Sequence, residues 1–187
     1  MTETRDADLD AIEAQVRSFP PLADDEVARL LPTAAAAGPS QERLVEHTLG
    51  VALDEALSRR DRGVDVVDLY QEATLAAIVA VSEYSVRNGA ARGLRAYVAR
   101  VIGAHLDDAI EQAAIDRRAD EAFVRDAQQY ETAEIALRHE LARAPTVTEL
   151  AAALKWPEER VEVVADAVTN AREIWDSEIV QYLDDED

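Results

Sequence analysis

The sequence predicts an all-α protein, and two observations carry that prediction. Only six glycines and six prolines occur among the 187 residues, and most of them fall between the periodic segments rather than inside them. Alanine-rich apolar residues recur at helical spacing, whereas the alternating β-branched residues typical of strands are rare. The length suits one compact domain or two small ones, and it is sufficient to bury a hydrophobic core.

Breakers and caps predict the first elements. Residues 1–21 are acidic and end in two prolines, which predicts a loose tail with at most a short helix. A short helix is expected over 22–37, disturbed at Pro32 because proline cannot donate to the helical ladder. A long helix follows and reaches about Arg60, with Ser40 as its candidate N-cap.

The middle of the chain predicts two more helices. Asp65 is placed to cap a helix over 66–84, and Asn88-Gly89 is a turn signal. Helical periodicity then covers 94–114 and resumes, after a charged stretch, as far as Arg143.

The last third contains two clear helix starts. Thr146 and Glu149 form a capping-box pattern that opens a short helix ending at Leu154. Pro157 is expected at the first position of the final helix, where proline is tolerated. The chain then ends in an acidic tail, since residues 176–187 carry six carboxylates and no basic residue.

Charge and composition exclude several kinds of function. The chain carries 39 acidic against 19 basic residues and a net charge of −20, which argues against tight, unaided binding of nucleic acid. It contains no cysteine, and its three histidines lie in no metal-ligand spacing. Motifs for phosphate loops, hydrolase nucleophiles and metal sites are missing, so we expect no enzyme, catalytic residue, metal or cofactor. Because no apolar run approaches the ~20 residues of a membrane span, a cytoplasmic protein without membrane contact is expected.

The helix predicted over 66–84 has two apolar faces. One arc of its helical wheel is an ordinary core face, formed by Val66, Leu69, Tyr70, Ala73, Ala77, Ala80, Val81 and Tyr84. The opposite arc carries a second apolar strip with acidic and amide residues at its edge, formed by Leu75, Ile78, Val79, Asp68, Gln71 and Glu72. Such a helix is either sandwiched inside its own bundle or docks another protein, and periodicity alone favours neither interpretation.

The stretch DRGVDVVDLYQEATLAAIVAVSEY over Asp61–Tyr84 resembles the most characteristic motif of the bacterial sigma-70 family of transcription initiation factors. In that family the motif forms the helix that grips the coiled coil of the RNA polymerase beta-prime subunit. The resemblance covers about residues 22–187. Residues 22–38 resemble region one-point-two, Gln41–Glu46 the first helix of region two, and LARAPTVTELA at Leu141–Ala151 a phrase of region three.

The resemblance implies a division of the chain. We expect a sigma region-two-like helical bundle, including region one-point-two, over 22–116, and a region-three-like lobe of three helices over 117–172. An acidic flexible tail over 1–21 would precede them, and an acidic tail over 173–187 would begin the linker that follows region three. Region four is not expected in this chain.

The resemblance also implies a set of partner-binding residues. By motif position, those that match the family residues meeting the beta-prime coiled coil are Asp68, Leu69, Gln71, Glu72 and Ile78. The second apolar strip adds Leu75 and Val79 to the candidate surface. Ala73 and Ala76 stand where the family usually has glycine, and a methyl group at a close helix approach is expected to weaken docking by about a kcal/mol or more.

The promoter-reading helix of the family corresponds to 94–110, and here it has lost most of its aromatic residues. Capture of unpaired bases requires aromatic platforms and positive charge, and only Arg95, Tyr97 and Arg100 remain as candidate DNA contacts. The outward arc predicted for this helix also contains Gly103 and Asp107, which offer phosphate no attraction. DNA contact is therefore expected to be weak and to occur only within the polymerase complex.

The region-three-like lobe is also expected to bind DNA weakly. Its second helix, over 157–166, carries one basic residue among four acidic ones, so it is unsuited to a groove lined with phosphate. Trp156, just before this helix, is expected to fill the core of the lobe rather than to stack on a base.

The expected function is docking on core RNA polymerase, as a divergent sigma factor or as a sigma-like regulator. One alternative is a decoy that binds an anti-sigma factor, because anti-sigma factors cover the same region-two surface. A weaker alternative is an acidic DNA mimic that acts through bulk charge, in which case single residues of the surface would not matter.

Overall fold

The computed structural model describes the backbone of residues 2–184 and the side chains of residues 7–175. Over that backbone range the protein contains helices and no β-strand, which confirms the predicted all-α class. The α-helices are α1 (Thr2–Ser18), α2 (Asp24–Leu30), α3 (Pro39–Leu57), α4 (Val66–Val86), α5 (Leu94–Leu141), α6 (Val147–Leu154) and α7 (Glu158–Asp184). Single 3-10 turns lie at Leu31–Thr33 and Ala91–Gly93. No helix in this range is both long enough and apolar enough to cross a membrane.

The chain divides into two compact units, residues 1–115 and residues 116–187. The first unit has a core built from α2 to α5, whose largest fully buried side chains include Leu44, Leu69, Leu94, Ile102 and Leu106. The extensive packing of α3 against α4 is possible because the inner face of α4 is rich in fully buried alanines: Ala73, Ala77 and Ala80. This core fixes α4 along its whole length.

The second unit has its own smaller core. Leu150 and Ala151 of α6 pack with Val161, Val164 and Val168 of α7, and Tyr130 of α5 completes the cluster. Trp156 lies partly buried against this cluster, and Arg160 sits over its ring at 4.4 Å from the centroid. Trp156 therefore packs against the core of this unit, as predicted, but remains partly exposed and does not fill it.

Two predicted helix caps are present. The Asp65 carboxylate accepts a hydrogen bond from the backbone nitrogen of Val67 at 2.9 Å, at the start of α4. At α6, the Thr146 hydroxyl accepts from the Glu149 nitrogen at 3.3 Å, and the Glu149 carboxylate accepts from the Thr146 nitrogen at 2.8 Å. Both caps satisfy backbone donors that the first turn of a helix leaves without partners.

The helix predicted over 22–37 is shorter in the structure, with α2 ending at Leu30 and a 3-10 turn at Leu31–Thr33. Two other helix starts differ only slightly from the predictions. Helix α3 begins at Pro39 with Gly38 as its N-cap, so Ser40 lies inside the helix, where its hydroxyl accepts from Thr33. Pro157 immediately precedes α7, and its carbonyl accepts from the nitrogens of Arg160 and Val161. These are shifts of one or two residues, the usual uncertainty of helix ends.

Helix α5 continues where the sequence predicts an interruption. It is a single helix of 48 residues from Leu94 to Leu141. The charged stretch after residue 114 contains no proline or glycine and is rich in alanine, arginine, glutamate and glutamine, which are all good helix formers. Charge alone therefore does not end a helix here.

The acidic ends of the chain are helical as far as the structure describes them. Residues predicted as a loose N-terminal tail form α1, a helix of 17 residues that contacts α3 and α4. Val16 of α1 lies next to Gly50 of α3. At the other end α7 continues to Asp184, while the acidic side chains predicted as a tail from residue 176 onward lie outside the described residues.

Candidate protein-docking site

Helix α4 presents one face to the core and leaves the opposite face exposed. Three large apolar side chains on this opposite face are accessible to solvent: Leu75 is 59% exposed, Val79 54% and Ile78 38%. Asp68 and Gln71 are exposed beside them, and the Glu72 side chain is 47% exposed. We call these six residues the outer face of α4. Their exposure contradicts the interpretation that α4 is sandwiched within its own bundle.

Leu69 does not belong to the outer face. It was predicted from its motif position as a partner-binding residue, but the structure leaves it only 1% exposed in the core of the first unit. Its side chain lies on the inner arc with Ala73, so it anchors α4 rather than contacting a partner. Ala73 is also fully buried, which removes its methyl group from the outer face, and Ala76 is 6% exposed.

A groove lies along one side of the outer face, between α4 and α5. It has a volume of about 200 Å³ and is lined by Glu72, Leu75, Ala76, Val79, Val101 and His105. At one end His105 Nε2 lies 2.9 Å from Glu72 Oε2, so a side chain of α5 contacts an acidic residue of the outer face. Sequence reasoning missed Val101 and His105 as neighbours of this surface. Their i, i+4 spacing would have shown that they share a face of α5, but not that the face borders α4.

Among the candidate DNA contacts, the structure brings Tyr97 and Arg100 together. The guanidinium groups of Arg100 and Arg87 lie over the Tyr97 ring, 5.1 and 5.3 Å from its centroid. The Tyr84 ring is 5.0 Å away, and the Tyr97 hydroxyl donates to Glu83 Oε2 at 2.7 Å. That hydrogen bond is the main reason why the pKa of Tyr97 is raised. The ring and hydroxyl therefore have partners within the protein already, which restricts their use as a platform for a base.

Arg95, the third candidate DNA contact, lies elsewhere. It is exposed, and its charge is among the influences that lower the pKa of His47, after the larger effect of burial. Since two residues along a helix correspond to a rotation of about 200°, Arg95 and Tyr97 point to different sides of α5. The candidate DNA residues therefore do not form one surface.

Gly103 and Asp107 belong to the arc of α5 that was predicted to face outward. Two arginines from the connection between α3 and α4 contact them in the structure. Asp107 accepts from Arg59 Nε at 3.1 Å and from Arg62 Nη1 at 2.6 Å. Arg59 Nη2 also donates to the Gly103 carbonyl at 3.3 Å, and Gly103 is buried. These contacts lower the pKa of Asp107, chiefly through the hydrogen bond from Arg59. Because the two guanidinium groups are paired with a carboxylate, they attract phosphate less than free arginines would.

The second unit shows the same pairing of basic residues. Arg160, the single base of the predicted reading helix, donates to Asp126 Oδ2 through Nε at 2.9 Å and through Nη2 at 2.5 Å. Arg172 pairs with Glu131 and Glu134. The one basic side chain of the predicted reading helix is thus held by an acidic neighbour.

The described side chains contain no candidate metal centre, and comparison with known proteins finds no match. Among the side chains of residues 7–175 there is no group of three or more histidine or acidic residues that could hold a metal ion. The chain matches no protein-family model and none of the curated proteins.

Proposed function

We propose that this chain is a sigma-70-family transcription factor that docks on the beta-prime coiled coil of core RNA polymerase through the outer face of α4. The observation that carries the proposal is the exposure of Leu75, Ile78 and Val79 beside Asp68, Gln71 and Glu72. An apolar centre with a polar border is the usual composition of a protein interface. Four of these residues also match the docking motif of the family by position: Asp68, Gln71, Glu72 and Ile78.

The interior of the first unit supports a docking role. The opposite face of α4 is anchored by fully or nearly fully buried residues, so the outer face is presented by a rigid helix. Asp65 caps the start of that helix, one turn before the first acidic residue of the outer face. A surface that is ordered before binding loses less conformational entropy on association.

The pairing of the arginines favours a divergent factor over an efficient promoter reader. Arg59 and Arg62 are held by Asp107, and Arg160 is held by Asp126. The net charge of −20 also works against attraction of DNA to the free protein. Any DNA contact through Arg95, Tyr97 or Arg100 is proposed to take place only within the polymerase complex.

Charge reversal tests the proposal. The purified chain is expected to retain core RNA polymerase in a pull-down, and Asp68→Arg/Glu72→Arg is expected to abolish retention. The matched control is Glu162→Arg/Asp166→Arg, which reverses two exposed acids four residues apart on α7. An acidic DNA mimic would respond equally to both double variants, because each changes the net charge by the same amount.

The decoy is the second candidate function, and a specific observation favours it. The outer face of α4 is available, whereas the Tyr97 ring and several arginines are engaged within the protein. A decoy for an anti-sigma factor requires the first property and has no need to read DNA. Binding of the wild type to an anti-sigma factor but not to core polymerase would establish the decoy and overturn docking on polymerase.

A further inference from the structure

The groove beside the outer face has the size of a side-chain site. Its volume of about 200 Å³ lies below the ~300–1,000 Å³ of typical small-molecule pockets. Four of its six lining residues are apolar: Leu75, Ala76, Val79 and Val101. Ala76 is nearly buried, and its small side chain leaves the hollow between the two helices. A single aliphatic side chain from a partner would bury itself there.

The polar lining of the groove consists of two side chains, Glu72 and His105, which contact each other. His105 of α5 contacts Glu72 of α4 at 2.9 Å, and both side chains are close to half exposed. In this contact Oε2 of the carboxylate is engaged, while a carboxylate can accept hydrogen bonds on both of its oxygens. His105 therefore restricts the rotation of Glu72 without covering it, which reduces the entropy that Glu72 loses when a partner binds.

The order of acidic and apolar residues along α4 indicates which side chains a partner helix would need in order to bind there. Asp68 precedes Glu72 by one helical turn, so the acidic residues occupy the N-terminal half of the outer face. Val79 follows Glu72 by seven positions, which corresponds to ~10 Å along the axis at a rise of ~1.5 Å per residue. A complementary helix would carry a lysine or arginine and, about two turns away, an aliphatic residue.

We propose that α5 completes the docking site of α4. Val101 and His105 form the second wall of a groove that takes one aliphatic side chain of a beta-prime helix, and His105 is the positioning residue that holds Glu72 for a basic residue of the same helix. This inference rests on the proposed function, because it assigns the partner of the same surface. It adds two residues of α5 that the docking motif on α4 does not contain.

A double-mutant cycle tests the positioning role. The affinity of the full chain for core RNA polymerase is measured at fixed salt for His105→Ala, Glu72→Ala and the double variant. His105→Ala is expected to weaken binding about 3- to 10-fold, and to change it less than about 2-fold when Glu72 is already alanine. His105→Gln, which keeps a donor, is expected to recover most of the loss. His139→Ala, at an exposed histidine of α5 in the second unit, is the matched control.

Photo-crosslinking provides a readout that a purely structural role would not produce. Benzoylphenylalanine in place of His105 is expected to crosslink to the beta-prime subunit. The same residue in place of His139 is expected to give no crosslink. If His105→Ala binds like the wild type and position 105 gives no crosslink, while Glu72→Ala still weakens binding, the role of α5 is overturned and docking through α4 stands. If the wild type does not bind core polymerase, both proposals are overturned.

Discussion

The guanidinium of Arg59 lies directly on Gly103 of α5. Its Nη2 atom donates to the Gly103 carbonyl at 3.3 Å, and a Cβ at position 103 would come within 3.2 Å of the same nitrogen. Arg59 is held in place by Glu55 at 2.7 Å and by Asp107 at 3.1 Å. The glycine is therefore explained by a close approach rather than by a special backbone conformation.

This relationship predicts a coupling between two substitutions. Gly103→Ala improves helix propensity by ~1 kcal/mol, but in the wild type the new methyl group must displace the anchored guanidinium. We expect Gly103→Ala to stabilise the protein by close to that amount in an Arg59→Ala background, and by clearly less in the wild type. Urea unfolding of the four proteins measures the coupling. Equal effects in the two backgrounds would show that the contact imposes no constraint.

His47 predicts a pH dependence of stability. Its Nδ1 accepts from the Leu22 nitrogen at 3.1 Å, and its pKa is lowered from 6.5, first by burial and then by Arg95 and Arg43. The folded state therefore favours the neutral ring, and the unfolded state binds more protons just below pH 6.5. The contribution of His47 to the free energy of unfolding is fully present above pH 6.5, and it is lost as the pH falls through the lower pKa that His47 has in the folded protein.

Thermal unfolding between neutral and mildly acidic pH measures this effect. The melting temperature is expected to fall as the pH drops below 6.5, and His47→Asn is expected to reduce the slope. His139→Asn, at an exposed position, is expected to leave the slope unchanged. A slope that is the same in the His47 and His139 variants would contradict the role of His47.

The capping box of α6 predicts a local loss of stability. Thr146→Ala removes the acceptor for the Glu149 nitrogen, and loss of an N-cap typically costs ~1 kcal/mol. Hydrogen exchange of the α6 amides is expected to accelerate, whereas Thr169→Ala at an exposed position of α7 is expected to leave it unchanged. Equal protection of α6 in the two variants would contradict the capping role.

Acid is expected to weaken the same cap. Arg143 and the Thr146 backbone hold the pKa of Glu149 at about 2, below its usual 4.5. The contribution of Glu149 is therefore present above pH 4.5 and is lost as the pH falls toward 2. Exchange at α6, corrected for the intrinsic effect of pH, should rise over this range more in the wild type than in Glu149→Gln.

Asp107 predicts a difference between two neighbouring acids in DNA binding. Asp107→Asn weakens the hold on Arg59 and Arg62, whereas Asp108→Asn removes the same charge from the next position. We expect tighter, salt-sensitive binding of single-stranded DNA by the Asp107 variant, measured by fluorescence anisotropy. Equal binding by the two variants would indicate that bulk charge alone excludes DNA.

Features that depend on neighbouring positions in the chain were predictable from the sequence, whereas contacts between distant positions were not. Asp65 and Thr146 were predictable as caps because a cap bonds to a residue two or three positions away. The exposed strip of α4 was predictable because a helix repeats every ~3.6 residues. Residues brought together from different helices were not predictable in this way: Glu72 and His105 are 33 positions apart, and Arg59 and Asp107 are 48 apart.

The burial of Leu69 shows a further limit of motif reading. Its motif position assigned it to the partner surface, while its place on the helical wheel assigned it to the core, where the structure has it. Similarly, the charged stretch of α5 was expected to interrupt the helix because its polarity obscured the periodicity. Intrinsic helix propensity was the better guide there, since no glycine or proline interrupts the stretch.

The central claim is that the exposed apolar strip of α4 binds core RNA polymerase, and a titration of core polymerase with the labelled full chain tests it most directly. Leu75→Ser/Val79→Ser changes two exposed side chains, as does the control Ile135→Ser/Val163→Ser in the second unit. We predict saturable binding by the wild type and the control, and at least a ~10-fold loss for the α4 variant at both low and moderate salt. Equal binding by all three proteins, or no binding by the wild type, would contradict the claim.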